Sequence, residues 1–151
     1  MIADFLGLSV MLVVCTYTDI VRLEVSDRAI IVSGAACVVI NIVRCIQANS
    51  LNAIYFMLIG AVCGFVIGFV MFLFGMGFGD VKMMAVMGGY LGIGLFLIAL
   101  MSAAVLGSLY GLIWLTLIRK QSIRSSLPFV PFLSCGCMAA ILYKTFLGGL
   151  L

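Results

Sequence analysis

Two aspartates, Asp19 and Asp80, are the side chains of this sequence best suited to do chemistry. Its 151 residues hold five acids and no histidine. Asp4 falls at the outer end of the first apolar run, where an anion is solvated and favoured by a helix N-terminus. Glu24 and Asp27 belong to a polar turn, Arg22-Leu-Glu-Val-Ser-Asp-Arg28, where a solvated or capping role is expected. That leaves Asp19, which closes an apolar run, and Asp80, which follows Gly75-Met-Gly-Phe-Gly79. Ionisable groups at such depth in an apolar chain are costly and usually functional; the plain alternative is that each marks a helix end. Two carboxylates converging on one water can divide acid and base roles, because neighbouring like charges do not both ionise easily. The ionised partner takes a proton from water while the protonated one polarises a scissile carbonyl. Without histidine, Ser-His and Cys-His nucleophiles are excluded, whereas a Ser-Lys pair is not. Lys82 lies close to Asp80 in sequence, but no serine flanks it.

The elements that must carry these acids follow from composition. A hydrophobic content of 66%, 9% charge and a mean hydropathy of +1.41 lie far outside the soluble range. Uncharged runs at 5–18, 29–43, 45–79, 83–118 and 125–143 suit hydrocarbon, where about 20 apolar residues make one helical crossing. The start, Met1-Ile2-Ala3-Asp4, has no basic residue and no cleavage site follows, so it reads as a retained first helix. Helices are expected over 2–19, 28–46 and 53–74, with Ser26 or Asp27 as N-cap of the second. The run 83–118 would be about 54 Å long as one helix, well beyond a bilayer core of about 30 Å. It must turn back, and Gly88, Gly89, Gly92 and Gly94 offer the place. The expectation is a short fourth helix at 81–91, a fifth at 95–118 and a sixth at 129–147 after the basic loop Arg119-Lys-Gln-Ser-Ile-Arg124.

The chain is therefore expected to be an all-α polytopic membrane protein of six transmembrane helices in one domain. Arg22, Arg28, Lys82, Arg119, Lys120 and Arg124 then share one side, against Arg44 and Lys144 on the other. Cytoplasmic loops retain basic residues, so both termini are expected on the extracytoplasmic side and both aspartates near the cytoplasmic boundary. Gly60, Gly64 and Gly68, like Gly107 and Gly111, have the four-residue spacing that lets helices approach closely in lipid. Tight contact within the chain is the expected use, a dimer face the other; oligomeric state is not legible.

Six cysteines all fall inside apolar runs and read as small apolar fillers. Cys135-Gly-Cys137 lacks zinc-pair spacing, so neither metal nor other cofactor is expected. A net charge of +3 is too small and dispersed to suggest nucleic acid. Two non-enzymatic readings compete: a small transporter or proton-relay subunit, which usually places its acids near the midplane, and a scaffold using glycine seams, which leaves the acids unexplained.

Gly77-Phe-Gly-Asp80 followed by Val81-Lys82 resembles the GxGDxK motif of the prepilin peptidases, or type IV leader peptidases. These are GxGD intramembrane aspartyl proteases. Asp19, followed by Ile20 and a basic turn, is similar to the family's first acid, and Leu127-Pro-Phe-Val-Pro-Phe-Leu133 resembles the segment opening the last helix. The resemblance implies Asp19 and Asp80 as the catalytic pair. It also implies removal of prepilin leader peptides on the cytoplasmic side of a prokaryotic cytoplasmic membrane, typically just after a glycine. Val25-Ser26-Asp27 stands where the family often has Ile-Pro-Asn. The first cytoplasmic loop leaves no room for the cysteine-rich insertion of longer members, so a short, tight-adherence (Flp) type without methyltransferase activity is implied. A prepilin partner would leave its basic leader at the surface and lay its apolar helix against the enzyme. Gly77 and Gly79 would offer bare backbone to an extended cleavage segment, with Lys82 in support.

Overall fold

The computed structural model describes residues 2–22, 27–117 and 130–148. The basic loop at 119–124, Ser26 and Glu24 of the first turn, and the Leu127–Phe129 end of the proline motif lie outside the described residues. Five helices account for nearly all of it: α1 (Ile2–Arg22), α2 (Asp27–Ala48), α3 (Asn52–Leu73), α4 (Phe78–Leu117) and α5 (Val130–Gly148). Three of these are long and apolar enough to cross a membrane: Asp27–Ala48, Asn52–Leu73 and Phe78–Ile113, while Phe5–Val21 and Val130–Phe146 are shorter apolar helices.

The helix α4 is two arms rather than one rod. At Gly92 the backbone leaves the helical region for φ 70° and ψ 170°, a conformation essentially reserved for glycine. Of the four glycines offered by the sequence as a turning point, only this one breaks the helix. Gly88 and Gly89 remain helical and serve packing. Side-by-side contacts settle how the arms run. Down the first arm (78–91), Val81 meets Gly68 of α3, Met84 meets Gly64 and Gly88 meets Gly60, an antiparallel order. Gly7 of α1 faces the Tyr90 hydroxyl at one end of this arm, and Asp19 interacts with Asp80 at the other. In the second arm (93–117), Ala99 and Ala103 meet Gly136 of α5, and Tyr110 and Gly107 meet Phe132. Since α5 runs antiparallel to α1 through Asp19 with Val130 and Thr16 with Ser134, the second arm returns along the bundle. The described residues thus form six helical segments of alternating direction.

What holds them together inverts the pattern of a soluble protein. On α3 the buried residues are Gly60, Gly64 and Gly68, whereas Phe56, Val62, Val66 and Val70 point outward. A Cβ on Gly60 would collide with the carbonyl oxygen of Gly88, and one on Gly64 with that of Met84. The backbones touch because no side chain stands between them. Apolar contact gains little over lipid tails, so close van der Waals packing is what selects this pairing. The central layer of Leu8, Met11, Cys15, Met83, Met84, Met87, Phe96 and Leu133 is fully buried.

Gly60, Gly64 and Gly68 thus serve contact within the chain, as expected. Gly111 shows no such contact among the described residues, where nothing lies within 4 Å of a Cβ built there. Gly136, a solitary glycine not singled out from its spacing, does the work at the α5 seam, where a Cβ would strike Ala99. Gly60→Leu is expected to cost at least about 1–3 kcal/mol by overpacking, whereas Gly111→Ala should stabilise by up to about 1 kcal/mol through helix propensity. Thermal unfolding of both variants in one detergent checks the contrast, and equal melting points would refute this account of the seam.

Candidate active site

Four of the helix ends gathered at one end of the bundle frame the candidate site: the last turns of α1, the starts of α2 and α4, and the start of α5. The sequence places an acid in three of them. Asp19 lies one turn inside α1, because the helix continues to Arg22. It is 7% exposed, so it does not simply mark a helix end. Its Oδ2 accepts a hydrogen bond from the Val130 N–H at 3.2 Å. That amide belongs to the first turn of α5, where N–H groups have no carbonyl four residues back to receive them. One turn further along, the hydroxyls of Thr16 and Ser134 are 2.7 Å apart, and Ser134 also donates to the Val130 carbonyl at 2.9 Å. The acid is therefore held by the helix that follows it by more than a hundred residues.

Asp80 stands in the first turn of α4 and is partly buried. Its approach is made by a turn the residues before it dictate. The helix α3 ends at Leu73; the Gly75 N–H bonds to Phe72 and the Met76 N–H to Met71, with Gly75 at φ 101°. This is the Schellman stop, which puts the residue just past the helix in the left-handed region, where glycine carries no Cβ penalty. Two residues later Gly77 accepts the Asp80 N–H at 3.1 Å, and α4 begins at Phe78. Gly79 is thus inside the first helical turn and Gly77 just before it. A Cβ on Gly77 would meet only Asp80 Oδ2, at 3.6 Å.

The fold brings Asp19 and Asp80 into electrostatic range of one another, and the buried thiol of Cys15 lies one turn from Asp19 on α1. Lys82 is not part of that contact. Its Nζ pairs with Asp27 Oδ1 at 2.9 Å and lies 5.4 Å from the centre of the Phe78 ring. Asp27 is the first residue of α2, and its carboxylate is engaged with a lysine rather than only with solvent. This partnership, like those of Thr16, Ser134 and Val130, was not read from sequence. The one available signal was opposite charge at two helix starts on the same expected side.

The turn between α3 and α4 is apolar throughout. Phe74 is 88% exposed, and Phe78 stands edge-on to Phe72 at 5.6 Å, continuing a row of Phe65, Phe69 and Phe72 along α3. No polar side chain accompanies the acid from this side. The arrangement offers two carboxylates from distant parts of the chain, one buried and hydrogen-bonded, one at an open helix start. That is the equipment for activating a water between them.

A family model described as the type IV leader peptidase family matches residues 6–112, a span that contains both aspartates. A prepilin leader peptidase/N-methyltransferase of Pseudomonas putida is 35% identical over 95 residues, covering 55% of this chain. The match takes in 33% of that relative, so the chain spans about a third of the length of the curated protein it resembles. No solved structure matches the chain.

Replacing Asp19 separates its structural bond from its charge. Asp19→Ala leaves the α5 start without an acceptor and should cost about 1 kcal/mol, as loss of a helix cap does. Asp19→Asn keeps a carbonyl oxygen for the Val130 N–H and should lie within about 0.5 kcal/mol of wild type. Unfolding midpoints of the purified variants test this, and an alanine variant as stable as wild type would show the bond to be idle.

Proposed function

Because the chain belongs to the type IV leader peptidase family, we propose that it is a membrane aspartyl endopeptidase that removes the leader peptide of type IV prepilins. Asp19 and Asp80 carry the reaction. One accepts a proton from the attacking water as the other, protonated, donates to the carbonyl oxygen of the scissile bond. The tetrahedral intermediate then collapses with transfer of a proton to the leaving amine. The observation that supports this reading most is the convergence of these two acids, from α1 and α4, at one end of the bundle.

The same end carries Arg28 and Lys82 at the starts of α2 and α4, and Arg22 at the end of α1. Arg119, Lys120 and Arg124 precede the start of α5 in sequence, whereas Arg44 and Lys144 fall toward the opposite ends of α2 and α5. By the retention of basic residues in the cytoplasm, this end is cytoplasmic. The six alternating segments are then six spans of a prokaryotic cytoplasmic membrane, with both termini outside. Only four residues separate α1 from α2, which favours a peptidase of the tight-adherence type working as one membrane-embedded domain without N-methylation. The substrate's apolar helix lies in the bilayer beside the enzyme, and its cleavage segment unwinds at the α4 start.

Co-expression with a candidate prepilin of the tight-adherence type tests the dyad directly. Asp19→Asn and Asp80→Asn should each slow leader removal by at least about 100-fold, the low end of what a positioned acid or base supplies. Rapid processing by both variants would assign the aspartates another task.

Gly77 and Gly79 provide the approach for substrate backbone. Alanine has room at position 77, and at 79 it favours the helix already present. Gly77→Ala with Gly79→Ala should therefore keep normal protein levels while cleavage falls about tenfold or more, since methyl groups stand where an extended chain must pass. Wild-type cleavage rates in the double variant would refute that role.

A further inference from the structure

The first arm of α4 is gripped on three sides. Val81, Met84, Ala85 and Gly88 face α3; Val86, Gly89 and Tyr90 face α2 through Gly34, Cys37 and Ser33; Met83 and Met87 enter the core. These grips weaken toward the start of the helix. In the first turn the amides lack intrahelical carbonyls, and Phe78 is exposed. Asp80 sits in that turn. A carboxylate that must meet a water shared with Asp19 needs its direction fixed more closely than a loosely held helix start allows.

Lys82 supplies the missing hold. It lies two residues beyond Asp80, about 200° around the helix at 100° per residue. Asp80 lies in electrostatic range of Asp19 of α1, and Lys82 pairs with Asp27 of α2. The ammonium also lies near the Phe78 ring, which stands against Phe72 of α3. One cation thus ties the starts of α2 and α4 to the end of α3. The pair is 40% and 60% exposed, so it contributes little to global stability. Its effect is on direction, because drawing Lys82 toward α2 turns the other side of the same helical turn toward α1.

We propose that Asp27 and Lys82 form a clamp that sets the rotation of the α4 start, and that both are positioning residues for Asp80. The inference rests on the peptidase reading above for its catalytic consequence, but the clamp itself can be examined without activity. Asp27→Asn and Lys82→Met each remove the ion pair; Asp27→Glu and Lys82→Arg each keep one. In a prepilin cleavage assay the first two should lower kcat about 10- to 100-fold with KM within about twofold, since small misplacement of a reacting group is costly. The conservative variants should recover most of that loss. Hydrogen exchange of the amides at 80–84, measured in lipid nanodiscs, should quicken in Asp27→Asn and Lys82→Met and return toward wild type in Asp27→Glu and Lys82→Arg.

A rise in KM for Lys82→Met with Asp27→Asn fully active would make Lys82 a substrate contact and overturn the clamp. Unchanged exchange in the broken-pair variants would also overturn it. Should the wild-type protein cleave no prepilin, the peptidase reading fails, while the exchange measurement still decides whether the ion pair holds the helix start.

Discussion

Close approach of two backbones is the constraint on which the rest of this molecule depends. Along α3, three glycines spaced by four residues leave a groove with no side chains, and the first arm of α4 lies in it with Gly88, Met84 and Val81 against its floor. In lipid, burying a leucine from α3 would gain little, since tails are as apolar as the bundle interior. Removing the side chain altogether gains contact between main chains. The seam sets the depth and direction of the arm, and the arm carries Asp80. The Gly92 break then returns the chain so that its second arm can pack on α5, whose first amide meets Asp19.

Polar groups inside the bundle follow a consistent rule. Serine and threonine hydroxyls bond to carbonyls three or four residues back, as Ser9, Thr18, Ser102 and Thr145 do, and the buried Asn41 amide returns to Cys37 of its own helix. Such bonds satisfy a donor without specifying a neighbour. Among the described residues the polar links between helices are fewer: Tyr90 to Ser33 at the far end, Ser102 to the Gly136 carbonyl along the α5 seam, Thr16 with Ser134 and Asp19 with Val130 near the acids, and Lys82 with Asp27 at the α4 start. Three of these five surround the candidate site.

Much of this was legible in the sequence, and the limits have physical causes. Uncharged runs gave the helices to within a few residues, because in a chain this apolar a charge is nearly always a boundary. The excess length of 83–118 required a turn, and its glycines gave the neighbourhood, but the choice of Gly92 over Gly88 depended on which glycine α3 needed for packing. Among the described residues nothing approaches Gly111: a stripe of small residues shows that a helix can be approached and not that anything approaches it. The aspartates were legible as costly residues. Their partners were not, because Val130 and Lys82 become neighbours of Asp19 and Asp27 only through the packing of helices far apart in sequence.

The two carboxylates are held with unequal firmness, and on the proposed peptidase reading this inequality suits a site that must admit a polypeptide. Asp19 is buried one turn inside α1 and bonded to the first amide of α5, so moving it would disturb two helices at once. Asp80 stands in a first helical turn, preceded by a glycine stop at Gly75 and an apolar, exposed connection. On that reading a substrate segment must displace something to reach a water between them. On the α4 side the first-turn amides have no carbonyl four residues back within the helix, Gly77 and Gly79 carry no side chain, and Phe78 is exposed, so that is the side on which such a segment would enter. The acid of α1 is then the fixed reference, and the acid of α4 the one whose approach is set by what holds its helix start.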